Sequence, residues 1–198
     1  MKKQIAIFGG SFNPPCKHHL EIIRNLKDQF ERVIIFPCGI RQDKQSTQAI
    51  SEMHRQHMLG IAISGMGGII IDFHDLEKKS FTPTYRIQEK YEKIFPKDDI
   101  WHVVGGDIIQ GGRQGRSEIH RLWDNGNVIW ENLNFLVIER PGCLVENMDL
   151  PANSRLFQIK NLCGSGTMAR RLIGQGLRAD HLVSENVLNY IRGNDLYI

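Results

Sequence analysis

Two short segments of this 198-residue chain carry the residue types that hold phosphate. The first, Gly9-Gly10-Ser11-Phe12-Asn13-Pro14-Pro15, follows the apolar run Gln4-Ile5-Ala6-Ile7-Phe8. Glycines after a strand let backbone approach a phosphate, and the next helix start offers unpaired N–H groups and a favourable dipole. The third glycine of the dinucleotide fingerprint and the GK[ST] ending of a Walker loop are both missing, so a plain strand-to-helix turn stays open as a reading of the glycines alone. Cys16 and His19 stand three apart just inside the helix and are expected to project from one face toward the glycine loop, with His18 pointing elsewhere. A histidine at a helix start can donate to phosphate oxygens and stabilise charge building on a transferred group. The second segment, Gly164-Ser165-Gly166-Thr167-Met168-Ala169-Arg170, is small and hydroxyl-bearing before it becomes helical. Ser165 or Thr167 can cap that helix while Arg170 takes phosphate, the alternative being an ordinary cap with a solvent-facing arginine. Two helix starts of this kind in one chain favour a triphosphate ligand.

These segments need a scaffold, and the hydrophobic pattern supplies one. Strands are expected at 4–8, 33–36, 69–71, 101–104 and 135–138, each a continuous apolar run that reads as buried on both faces. Helical spacing follows from His19 (Leu20, Ile22, Ile23, Leu26), over 53–63 and 85–94, and again over 169–173 and 186–192. Strands alternating with helices predict an α/β fold, a doubly wound parallel sheet. Ligands in such sheets lie beyond the carboxyl ends of the strands, where Gly9-Gly10, Pro37-Cys38-Gly39 and Gly105-Gly106-Asp107 fall. Gln110 to Ser117 (QGGRQGRS) reads as a mobile surface loop.

Composition narrows the class. The length suits one domain spanning 1–198, and a formal net charge of +3 is too slight to bind nucleic acid by bulk electrostatics. Cys16, Cys38, Cys143 and Cys163 form no CxxC pair, so neither a zinc knuckle nor a disulfide framework is expected, and no metal ligands are assigned to the chain itself. Without a membrane-length apolar stretch or a cleavable leader pattern, a cytoplasmic place with reduced thiols and no membrane partner is expected. Whether the chain forms a homo-oligomer is left open.

Taken together, GGSFNPPCKHHL resembles the GGTFDPxHxGHL signature of the HxGH nucleotidyltransferase superfamily, and GSGTMAR is similar to its ISSTxxR signature. Matches to the nicotinate/nicotinamide mononucleotide adenylyltransferase branch run on through HRQHMLGIAI, PTYRI, VVGGD, Leu122-Trp123, LVIERPG and VSENVLNYIRGNDLY. The resemblance implies a Rossmann-like nucleotidyltransferase that joins ATP to a mononucleotide and releases pyrophosphate, with Mg²⁺ held mainly on the ATP phosphates. It implies that His19 contacts the ATP phosphates and supports the transition state, that Thr167 and Arg170 hold the outer phosphates, and that Asp107 lies near the ribose and metal. Trp123 would lie against the acceptor's pyridine ring. Gly9, Gly10, Ser11, Phe12, Cys16, Gly105 and Ser165 complete the implied ATP site, and Lys44, Thr84, Tyr85, Arg86 and Arg140 the acceptor site.

The departures from the signature are specific. Cys16 stands where the first histidine of HxGH belongs, His18 where its glycine belongs, Gly166 in place of a serine or alanine, and Arg86 in place of the usual threonine. A thiol cannot act as a cationic donor, so phosphate stabilisation must come from elsewhere, His18 or a lysine included. Two alternatives remain: a nucleotidyltransferase for another phosphorylated acceptor, and a nucleotide-binding regulator with weakened catalysis.

Overall fold

Strand β1 (Gln4–Gly10) is buried from Ile5 to Phe8, and it pairs in parallel with β2 (Arg32–Pro37) on one side and β4 (Asp99–Gly105) on the other. The computed structural model describes residues 2–42, 44–48, 50–139, 145–159 and 162–198, so Arg140 lies outside the described residues. With β3 (Ile69–Ile71), β5 (Asn134–Glu139) and β6 (Ser154–Gln158), the order is β3-β2-β1-β4-β5-β6, all parallel. The chain therefore winds outward twice from the β1–β4 junction, which is the Rossmann-type arrangement expected from the alternating pattern.

Side-chain alternation along each strand assigns the helices to two faces. Ala6, Phe8, Val33 and Ile35 pack with Leu20, Ile23 and Leu26 of α1 (Lys17–Lys27) and Leu59 of α2 (Glu52–Ile63). Ile5, Ile7, Ile34 and Ile100 turn the other way, onto Ile87 and Tyr91 of α4 (Thr84–Ile94), which follows the short α3 (His74–Lys78). On that same side Phe135 and Val137 meet Ile109 of α5 (Gly106–Ile109), Ile119 of α6 (Glu118–Leu122) and Ile129 of α7 (Gly126–Asn132). Near the chain end, α8 (Gly166–Gly174) and α9 (Glu185–Gly193) form a separate apolar cluster with Met58 and Cys16. Among the described residues no helix is long and apolar enough to cross a membrane.

Several features differ from expectation, among them the short helices α3, α5, α6 and α7, which the pattern reading does not include. Strand β6 is absent from the pattern reading because SRLFQ lies at the sheet edge, half covered, with neither a continuous apolar run nor a strict alternation. The glycine- and arginine-rich stretch from Gln110 to Ser117 is a tethered turn rather than a mobile loop. The Gly111 and Arg113 N–H groups donate to the two carboxylate oxygens of Asp149, at 3.0 and 2.9 Å. Gly112 sits so close to Trp130 that an added Cβ would fall 2.3 Å from its ring. The acceptor comes from far along the chain, so local composition could not announce it.

His102 on β4 carries a testable consequence of this burial. It is 5% exposed, its Nε2 lies 2.8 Å from Gln88 Oε1, and burial pushes its pKa from 6.5 down to about 4. Between those values the unfolded chain binds a proton that the folded one refuses, so this group's contribution is intact above about pH 6.5 and is lost as pH falls toward 4. At about 1.4 kcal/mol per pH step the loss approaches about 3 kcal/mol. Urea unfolding of the protein and of His102→Gln at pH 7 and pH 4.5 should show a shallower pH dependence in the variant; identical slopes would contradict the assignment.

Candidate active site

Beyond the carboxyl ends of β1, β2 and β4 lies a cleft of about 800 Å³, within the size range of small-molecule sites. The glycine turn after β1 forms its floor, and a buried cation holds that turn. Arg55 on α2 is 1% exposed, with Nε donating to the Ser11 carbonyl at 2.9 Å and Nη2 to the Cys38 carbonyl at 2.5 Å. The ends of β1 and β2 are thus tied to one guanidinium from below. Two residues on, Asn13 is 1% exposed and links three further segments. Its Nδ2 donates to the Ser46 carbonyl at 2.7 Å, its Oδ1 accepts from the Tyr197 hydroxyl, and its backbone carbonyl accepts from Arg170 Nη1 at 2.6 Å.

At the start of α1, His19 Nδ1 accepts the Cys16 backbone N–H at 2.9 Å. In the neutral ring that bond puts the proton on Nε2, making it a donor. Phe12, fully buried with φ of 44°, packs its ring 5.1 Å from the His19 imidazole. Cys16 does not line the cleft: its side chain is fully buried, with Sγ 3.4 Å from the Pro14 carbonyl. Burial pushes the Cys16 thiol up to about 12, against the lowering effect of Arg170, so it stays protonated near neutrality. His18, expected to point away, instead lines the cleft, its ring centroid 4.0 Å from that of His19. Cys16, His18 and His19 thereby bring one donor atom each to within 4.8 Å of one another, a grouping unforeseen when no metal ligands were assigned.

The second helix start faces the first. Ser165 caps α8 by accepting the Met168 N–H at 3.1 Å, and Arg170 Nη2 lies 3.1 Å from Thr167 Oγ1. Gly9, Gly10, Ser11, His19, Ser165, Thr167 and Arg170 all line this end, while Gly105 and Asp107 line the side formed by β4 and α5. The lining also includes Lys44, Thr84 and Trp123. Phe12 lies beneath the floor rather than on it. Tyr85 packs into the core near α5 to α7, and Arg86 pairs with Glu89 at 2.8 Å on the surface, so neither reaches the cleft.

Pattern reading missed several contributors, Arg41, Glu118 and Asp75 among them, which belong to no quoted motif. Arg41 and Glu118 meet at 3.5 Å in the cleft wall, and the same Glu118 oxygen accepts from Trp123 Nε1 at 3.3 Å, fixing the indole. Asp75 is fully buried and accepts the Gly39 and Thr82 N–H groups, both at 3.0 Å, which joins the loop after β2 to the approach of α4. The roles of Asn13, Arg55 and Asp75 emerge only in the fold, where their buried polar atoms are matched by distant backbone groups.

Compared with known proteins, residues 7–172 match the cytidylyltransferase-like family. The nicotinate-nucleotide adenylyltransferase of Bacillus subtilis is 25% identical over 197 residues, covering 98% of each chain. Among solved structures, the Plasmodium falciparum nicotinic acid mononucleotide adenylyltransferase complexed with NaAD superposes with a TM-score of 0.80 at 24% identity, covering 98% of this chain and 97% of that one. The same enzyme complexed with APC gives a TM-score of 0.75 at 25% identity and the same coverage.

The Asn13 junction can be tested apart from any activity. Tyr197→Phe deletes the hydroxyl that Asn13 Oδ1 accepts and leaves a buried acceptor unmatched, at a cost of about 1–3 kcal/mol. Urea denaturation should record that loss with an unchanged m-value. A midpoint equal to that of the parent would show that the contact contributes nothing.

Proposed function

The chain belongs to the cytidylyltransferase-like family, and from that premise we propose that it joins ATP to nicotinate or nicotinamide mononucleotide, giving the dinucleotide and pyrophosphate in NAD biosynthesis. One observation carries the reading: a single cleft has two helix starts with His19, Thr167 and Arg170 at one end and the edge-fixed indole of Trp123 at the other. A triphosphate suits the first end, since N–H groups, a donor imidazole and a guanidinium all converge on anionic oxygens. A flat heteroaromatic ring suits the second. The names of the relatives, nicotinate-nucleotide and nicotinic acid mononucleotide adenylyltransferases, support the same acceptor class.

Chemistry in such a cleft is mainly positioning. The acceptor's 5′-phosphate is already anionic, so its in-line attack on the α-phosphorus needs no general base. His19 Nε2–H and Arg170 would neutralise charge moving onto pyrophosphate, and the Gly9-Gly10 backbone lets the chain of phosphates lie close to the strand ends. Cys16, protonated and below the floor, is unsuited to act as a nucleophile.

Nucleotidyltransferases of this kind use a divalent cation. We assign Mg²⁺, because hard cations prefer oxygen and the cleft offers the Asp107 carboxylate beside the space for the phosphates. Bound there, it would neutralise phosphate charge. We read 1–198 as one nucleotidyltransferase domain, and the thiols Cys16, Cys38 and Cys163, all unpaired, fit a cytoplasmic setting.

The direct experiment supplies purified protein with ATP, Mg²⁺ and a panel of nicotinate mononucleotide, nicotinamide mononucleotide and pantetheine phosphate, scored by product mass. A pyridine dinucleotide should form, and His19→Ala should lower kcat by about a hundredfold with the fold intact. Tight ATP binding without product from any acceptor would instead leave a nucleotide-binding regulator. Near-full kcat in the folded variant would remove His19 from the chemistry.

A further inference from the structure

We propose that Cys16, His18 and His19 form a binding site for a thiophilic divalent metal ion of the zinc class, with one coordination position open to the cleft. The three donor atoms already lie within 4.8 Å of one another on the first turn of α1. Bonds of about 2.0 Å to nitrogen and about 2.3 Å to sulfur place tetrahedral ligands roughly 3.5 Å apart. Side-chain rotations moving the donors by about an ångström therefore complete the set without moving the helix.

The donor chemistry selects the ion. One thiolate and two imidazoles suit Zn²⁺ or Co²⁺ and are poor partners for Mg²⁺, which keeps to oxygen. The site is therefore separate in kind from the cation that travels with nucleotide phosphates. Both imidazoles line the cleft while Cys16 lies beneath them, so an ion held by all three presents its remaining position to the cleft. Three protein ligands and one exchangeable position are the arrangement of reactive rather than structural zinc sites.

Binding changes the bonds already present. The Cys16 thiol proton leaves for solvent, and Sγ gives up its contact with the Pro14 carbonyl. Burial opposes the resulting thiolate, Arg170 favours it, and the bound cation itself supplies the rest of its stabilisation. His19 must offer either Nε2, the nitrogen that otherwise carries the donor proton, or Nδ1, by displacing the Cys16 N–H. In either case a metal-bound His19 is no longer the same phosphate donor, so occupancy of this site and the donor role of His19 exclude each other.

Cobalt provides a readout that does not depend on activity. Titrating the full chain, free of other metals, with Co²⁺ should give one equivalent of tetrahedral visible bands together with a near-ultraviolet thiolate-to-cobalt charge-transfer band. Zn²⁺ should abolish both, and excess Mg²⁺ should abolish neither. In Cys16→Ser the charge-transfer band should vanish, whereas Cys163→Ser should keep it. His18→Gln, which keeps the Cys16 thiol, should weaken Co²⁺ binding roughly tenfold or more. Circular dichroism identifies folded variants, and should Cys16→Ser fail to fold, His18→Gln and Cys163→Ser decide the matter. No tetrahedral spectrum in the parent protein, a thiolate band that persists in Cys16→Ser or disappears in Cys163→Ser, or unchanged Co²⁺ affinity in His18→Gln would overturn the site.

Discussion

A buried amide must match its polar atoms, and Asn13 does so by drawing distant segments onto one residue: Ser46 after β2, Arg170 on α8 and Tyr197 at the chain end. That demand shapes the cleft. The glycine turn is permissive by itself, since glycine allows many backbone conformations and prefers none strongly. Arg55 from below and the Asn13 contacts from the side convert it into a fixed floor. Because Arg170 bonds to the Asn13 carbonyl, the second helix start is placed relative to the first by the same residue that fixes the floor.

This economy explains how a modest set of side chains can support a group transfer. A cleft that neutralises anionic oxygens and holds two ligands in line needs rigid donors more than a reactive nucleophile. The donors here are locked by neighbouring groups: the His19 ring by the Cys16 N–H, the Trp123 indole by Glu118, and Arg170 by Asn13 and Thr167. Even the cysteine that stands in the signature's first histidine position serves the scaffold, packed under the floor with Met58, Ala169 and Val187.

Much of the fold was legible because β1, β2 and β4 are continuous apolar runs ended by glycine or proline, and its main helices show clean spacing. The glycine turn and the second helix start, which line one cleft, were legible for a related reason: glycines, hydroxyls and helix starts act locally, within a few residues. What escaped acts across the chain. Asp149 turns a glycine-rich stretch into a tethered turn, Asp75 ties two loops, and Glu118 with Arg41 builds the far wall, none of which local composition reveals. Arg86 and Tyr85 fell on the wrong side because residues adjacent to Thr84 on a helix cannot all face one cleft. His18 erred in the opposite direction: its ring lines the cleft beside that of His19.

The central claim is that ATP and its acceptor react directly in this cleft, positioned by the chain and without a covalent protein intermediate. Stereochemistry tests it at the reacting atom. With ATP carrying a chiral thiophosphate at the α position, a single in-line displacement must invert configuration at phosphorus in the dinucleotide product. Inversion is the result expected here. Retention would require two displacements, hence a nucleophile on the protein, and would contradict the account.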